Sequence, residues 1–194
     1  MNTGSWRTVD IVVAAVIAVA FGVVFWAWNL VWAATGPIFG ALPAAQYLIY
    51  GVWLVPAVLG ALVIRKPGAA LFTELVAASV SALLGSVWGL DTLVSGLIQG
   101  GAAELIFALF RYRSWTAAVA TIAAVATAVG AWLHDMPLYF PEAGLAAWLV
   151  FLAFMVVSAA VIAGYGSWIL LRALAQAGAL GAFPSGSGGG AALH

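Results

Sequence analysis

Six stretches of this sequence are apolar enough and long enough to cross a lipid bilayer, and little lies between them. A crossing needs about 20 residues at a rise of roughly 1.5 Å each. The sequence reads as helices over 9–33, 43–64, 68–88, 92–110, 114–133 and 143–172. The first and last exceed one bilayer thickness and are expected to tilt or bend. Composition closes off the other classes. Only 6% of residues are charged and 66% are hydrophobic, whereas a water-soluble domain carries about a quarter charged residues. A β-barrel would show short alternating segments, and these runs are continuous. Zero net charge and scattered basic residues exclude nucleic acid as a partner. Without cysteine, disulfides and thiolate chemistry are excluded. The first run exceeds a signal peptide's apolar region and reads as a retained helix. The expected fold is an all-α integral membrane protein, a bundle of six transmembrane helices over residues 1–176. The tail, 177–194, is Gly/Ser/Ala-rich and expected to be disordered.

The basic residues orient this bundle. Arg7, Arg65, Lys66, Arg111, Arg113 and Arg172 all fall at one end, while Asp91, Asp135 and Glu142 fall at the other. Basic loops stay on the cytoplasmic side, so both termini are expected inside a multi-pass cell-membrane protein. Gly36, Pro37, Gly40 and Pro43 break the chain after the first helix, and Pro67-Gly68 after the second. His134 to Glu142, with Pro137 and Pro141, reads as the last outer loop.

Two acids interrupt the apolar spans, Glu74 and Glu104. Intramembrane ionisable groups are costly and are functional candidates by default. The plainer alternative is an acid hydrogen-bonded across a helix interface. Glu104 has the stronger case, because Gly96 and Gly100 precede it at four-residue spacing and open one helix face to a backbone or a ligand. Gln99 lies about 140° from Glu104 around an ideal helix. The two converge only if the helix opens at Gly100-Gly101.

Aromatic and amide side chains gather toward the predicted outer end. Asn29 closes the first helix, Gln46, Tyr50 and Trp53 share a face of the second, and Trp88 ends the third. Trp132 and His134 flank the last loop. An interfacial aromatic belt explains part of this set, but not the amides or the depth of Trp53. The combination suits a flat, polar heteroaromatic ligand held by stacking and cation–π contact. On the first helix, Ala14, Ala18 and Gly22 form a small-residue stripe suited to close helix contact. No phosphate-binding loop is present, so the chain does not power itself with ATP. No metal site, no cofactor site and no catalytic set is expected, and the chain is not read as an enzyme.

The segments Arg65-Lys66-Pro67-Gly68 leading to Glu74, and Gln99-Gly100-Gly101-Ala102-Ala103-Glu104-Leu105-Ile106-Phe107-Ala108-Leu109-Phe110, carry a resemblance. The chain resembles the substrate-binding S components of energy-coupling factor vitamin transporters, and within them the YkoE family, associated with hydroxymethylpyrimidine and thiamine uptake. The resemblance implies capture of a thiamine-type aminopyrimidine from outside, with Glu104 contacting the ligand. It implies partners: lipid, a transmembrane T subunit docking on the Ala14/Ala18 stripe, and two ATPase subunits that hydrolyse ATP. The thiamine-specific Glu-Tyr-Pro continuation is absent, since Leu105 and Ile106 follow the acid. The alternatives are an S component for another vitamin and a non-transport structural membrane subunit.

Overall fold

In a computed structural model, which describes residues 5–186, the chain after its first few residues is a succession of helices. Helix α1 spans Thr8–Thr35. A short 3-10 turn, Gly36–Phe39, is followed by a 3-10 segment, Pro43–Leu54, that runs directly into α2, Val55–Ile64. Then come α3, Ala69–Leu83, α4, Asp91–Leu109, and α5, Ala117–Tyr139. Helix α6, Gly144–Ser158, continues through a π-helical stretch, Ala159–Tyr165, into α7, Gly166–Gln176. Among the described residues five paths are long and apolar enough to cross a membrane: Thr8–Phe39, Pro43–Ile64, Asp91–Leu109, Ala117–Tyr139 and Gly144–Gln176.

Three boundaries differ from the sequence expectation. Helix α3 is 15 residues long and stops at Leu83 rather than 88, because Gly85 (φ 89°) and Gly89 (φ 58°) turn the chain in left-handed conformations. Helix α5 runs to Tyr139, with Pro137 inside it, where a loop from His134 was expected. Proline removes one helical hydrogen bond there, and the side-chain ties of Asp135 and Tyr139 described below hold the last turn. The tail begins as packed turns: Leu180 and Phe183 are buried, and Ser185 Oγ donates to the Val63 carbonyl. Residues 187–194 lie outside the described residues, as does that part of the expected disorder.

Helix α2 is the centre of the bundle. Its sequence is apolar on every side, as a helix without a solvent or lipid face must be, and all ten of its residues are buried. Gly60 allows α3 to come close, since a Cβ there would sit 2.2 Å from Thr73 Oγ1. Around α2, α1 turns its small face inward. Ala14 and Ala18 are fully buried, and a Cβ on Gly22 would strike Val80 of α3 at 2.5 Å. Val12, Val16, Val19 and Val23 face outward. Within this chain the stripe is thus buried, with α3 against it at Gly22.

At the basic end, Asp10 is fully buried and pairs with Arg7 and Lys66. Trp6 Nε1 donates to the Pro67 carbonyl. These contacts fasten α1 to the α2–α3 turn. A buried carboxylate is stable there because both charges and hydrogen bonds compensate it.

Candidate ligand-binding cavity

A cavity of about 200 Å³ opens at the end of the bundle away from the basic turns. The end of α1, the 3-10 segment, α3 from Glu74 on, the α3–α4 turn, the first half of α4 and the end of α5 build its wall. Seven of the expected site residues line it: Asn29, Gln46, Tyr50, Trp53, Glu74, Trp88 and Gln99.

The 3-10 segment organises the aromatic wall. With three residues per turn, residues at i and i+3 eclipse, so Tyr47, Tyr50 and Trp53 form one ladder. Tyr47 and Tyr50 stack with centroids 5.4 Å apart and planes 13° apart, and Tyr50 meets Trp53 edge-on at 5.3 Å. Trp32 of α1 packs on both ends of the ladder, 5.2 Å from Tyr47 and 5.0 Å from Trp53. Sequence reasoning with the α-helical period groups 46, 50 and 53. The true period of three brings in Tyr47, and Gln46 turns instead to the Trp32 carbonyl, at 2.7 Å.

Three carboxylates, Glu74, Asp91 and Asp135, line the cavity, and among the described residues its wall contains no Lys or Arg. Glu74 is fully buried. Its Oε2 accepts from the Ala57 N–H at 2.9 Å, and its Oε1 has no hydrogen-bond partner. An unpartnered oxygen on a residue that lines the cavity can take a donor, since leaving it unmet costs about 1–3 kcal/mol. Toward the mouth a hydrogen-bonded chain crosses from α4 to α5. Gln99 Nε2 donates to Tyr50 Oη at 3.2 Å, and Tyr50 donates to Asp135 Oδ2 at 2.7 Å. His134 stands between Asp135, 2.9 Å from Nδ1, and Asp91, 3.1 Å from Nε2. Tyr139 donates to Asp91. Each imidazole nitrogen faces a different carboxylate, so these groups do not converge on a metal; among the described residues none do. Asn29 Nδ2 donates to Ser86 Oγ, fixing the α3–α4 turn over the rim.

Three expected site residues lie elsewhere. His134 is a bracket behind the wall. Trp132 Nε1 donates to the Trp148 carbonyl at 2.7 Å and joins α5 to α6. Glu104 also lies away from this cavity. Its glycine face does approach a backbone, but that backbone belongs to α3: a Cβ on Gly100 would sit 3.0 Å from Leu71 Cα. Glu104 therefore meets the start of α3, accepting from the Gly68 N–H at 2.6 Å, the Ala70 N–H at 3.0 Å and Tyr112 Oη at 2.7 Å. A carboxylate is favoured at a helix N-terminus, where unpaired N–H groups and the helix dipole point at it. Burial and this hydrogen bond hold the Tyr112 hydroxyl above its ordinary range. Sequence reasoning also leaves Asp91 and Asp135 out of the site: it reads Asp91 in the turn before the fourth helix, and Asp135 in a loop with Pro137 where α5 in fact continues.

Comparison with known proteins fits this geometry. Residues 9–130 match the family described as the permease component of ABC-type cobalt transport systems. The putative HMP/thiamine permease protein YkoE of Bacillus subtilis (strain 168) is 33% identical over 181 residues, covering 91% of this chain and 88% of that one. A solved structure, described as a crystal structure of an S-component of an ECF transporter, superposes with a TM-score of 0.89 at 32% identity. It covers 94% of this chain and 92% of its own.

Proposed function

Because the chain belongs to the S-component family of ECF transporters, we propose that it captures a thiamine-related aminopyrimidine, hydroxymethylpyrimidine or thiamine, for import. The observation that carries this reading is the cavity itself: three carboxylates and a ladder of aromatic rings, with no cationic side chain in the wall. A 4-aminopyrimidine offers an exocyclic amine and, when protonated, a ring N–H, and a carboxylate can accept both. A cationic thiazolium would lie favourably against the ring faces of Tyr47, Tyr50 and Trp53. The single six-helix domain acts as a binding subunit, and its T subunit and two ATPases supply the energy. Trp32, Trp53 and Trp88 line the cavity, so binding should change tryptophan emission. Purified protein titrated with thiamine and with hydroxymethylpyrimidine is expected to respond at micromolar ligand. A flat emission signal and no heat with either compound would end this reading.

The same proposal places both termini in the cytoplasm and the cavity mouth outside, supported by the six basic residues at the opposite end. Leu90→Cys and Leu138→Cys, at exposed positions near the mouth, should react with an impermeant thiol reagent in intact cells. Ala182→Cys, in the exposed turn at the basic end, should react only after the membrane is opened. The reverse pattern would invert the orientation.

A further inference from the structure

The 3-10 segment Pro43–Leu54 is 12 residues long. Runs beyond three or four residues are uncommon, because eclipsed side chains and poorer hydrogen bonds favour relaxation to the α form. Pro56 opposes an α-type bond only at the Val52 carbonyl, at the end of the segment; the earlier turns carry no such block. Something outside the segment must hold it.

The contact at its centre is with Ser158, the last residue of α6. Ser158 Oγ accepts from the Gly51 N–H at 2.8 Å and donates to the Leu48 carbonyl at 2.7 Å. Leu48 C=O and Gly51 N–H are the i and i+3 partners that close a 3-10 turn. In an α-helix the Leu48 carbonyl would accept from the Val52 N–H, and the Gly51 N–H would donate to the Tyr47 carbonyl. One hydroxyl from another helix thus engages both ends of a single 3-10 turn and bridges them. The approach depends on Gly51, where a Cβ would lie 2.6 Å from the Ser158 carbonyl oxygen. Immediately after Ser158 the helix widens into the π stretch Ala159–Tyr165, so an overwound and an underwound segment meet at this point. Ser158 is 2% exposed and is not part of the cavity lining.

We propose that Ser158 is a positioning residue for the cavity: by bridging Leu48 and Gly51 it holds the 3-10 register that lines up Tyr47, Tyr50 and Trp53. Residues six apart align in a 3-10 helix but diverge by about 120° in an α-helix, at about 100° per residue. Relaxation would turn one end of the ladder out of the wall. The proposal deepens the reading of this cavity as a thiamine-type site and rests on it for its affinity readout.

The test compares Ser158→Ala, Ser158→Thr and Ser167→Ala. Ser167 is a buried hydroxyl on α7 without a hydrogen-bond partner, so its loss controls for deleting a core hydroxyl. The readouts are thiamine affinity, thermal unfolding and the near-UV circular dichroism of the ligand-free protein, which reports ring packing. Ser158→Ala is expected to bind thiamine about ten-fold more weakly, because only the fraction of molecules in the competent register binds. Its near-UV spectrum should change in the tyrosine and tryptophan bands. Ser158→Thr, which keeps the hydroxyl, should restore both, and Ser167→Ala should alter neither. Wild-type affinity with an unchanged spectrum in Ser158→Ala would overturn the proposal. So would an affinity loss that Ser158→Thr fails to restore while remaining folded. If wild-type protein binds no thiamine, the functional reading fails, and the ligand-free spectra still decide the register.

Discussion

Glu74→Gln should weaken thiamine binding by about ten- to a hundred-fold while leaving the protein folded. The substitution keeps the size of the side chain and removes the carboxylate with which Glu74, its Oε1 unpartnered, would meet a cationic ligand. Losing a hydrogen bond to a charged group is worth roughly 1.5–3 kcal/mol, which sets that range of affinity. Glu104→Gln is the informative comparison. Its carboxylate accepts two hydrogen bonds at the start of α3 and a third from Tyr112 Oη, and an amide would turn an NH₂ toward one of those donors. The expected result is a lower unfolding temperature, from a loss of about 1–2 kcal/mol, with thiamine affinity nearly unchanged. Titration calorimetry and thermal unfolding in detergent separate the two effects. If Glu104→Gln loses affinity at full stability while Glu74→Gln does not, the ligand is anchored at the other acid.

Ala18→Leu should act on folding before it acts on assembly. Ala18 has no exposed surface and lies one turn from Gly22, which packs against Val80 of α3, so the added carbons have nowhere to go. Overpacking of this kind costs about 1–3 kcal/mol, and binding-competent yield should fall with it, with or without a T subunit. Val16, 62% exposed on the opposite face, should accept Leu without loss of stability. Fluorescence-detected size exclusion and thermal unfolding measure both. A folded Ala18→Leu protein that binds thiamine normally but no longer copurifies with its T subunit would return the stripe to a docking role.

These two results turn on what the sequence could and could not express. The helical crossings follow from composition and length, because in lipid every backbone group must be satisfied within the segment. The gathering of Asn29, Gln46, Tyr50, Trp53 and Trp88 at one end also follows from the chain, since helix direction and turn positions already place them there. Which face of each helix turns inward does not follow. In a nearly uniform apolar chain the inside and the lipid side have similar composition, so hydrophobic periodicity loses its contrast. A four-residue stripe such as Ala14, Ala18 and Gly22 says that a helix lies close, without saying whether it belongs to the same molecule. The same ambiguity governs the two acids. Gly96, Gly100 and Glu104 announce a close approach, and only the packed bundle shows that α3 makes it and that the free oxygen belongs to Glu74. The 3-10 register of residues 43–54 and the helical course of α5 through Pro137 were likewise decided by tertiary contacts. Ser158 on one helix, and Asp91 meeting His134 and Tyr139 across another, supply hydrogen bonds that outweigh local preference.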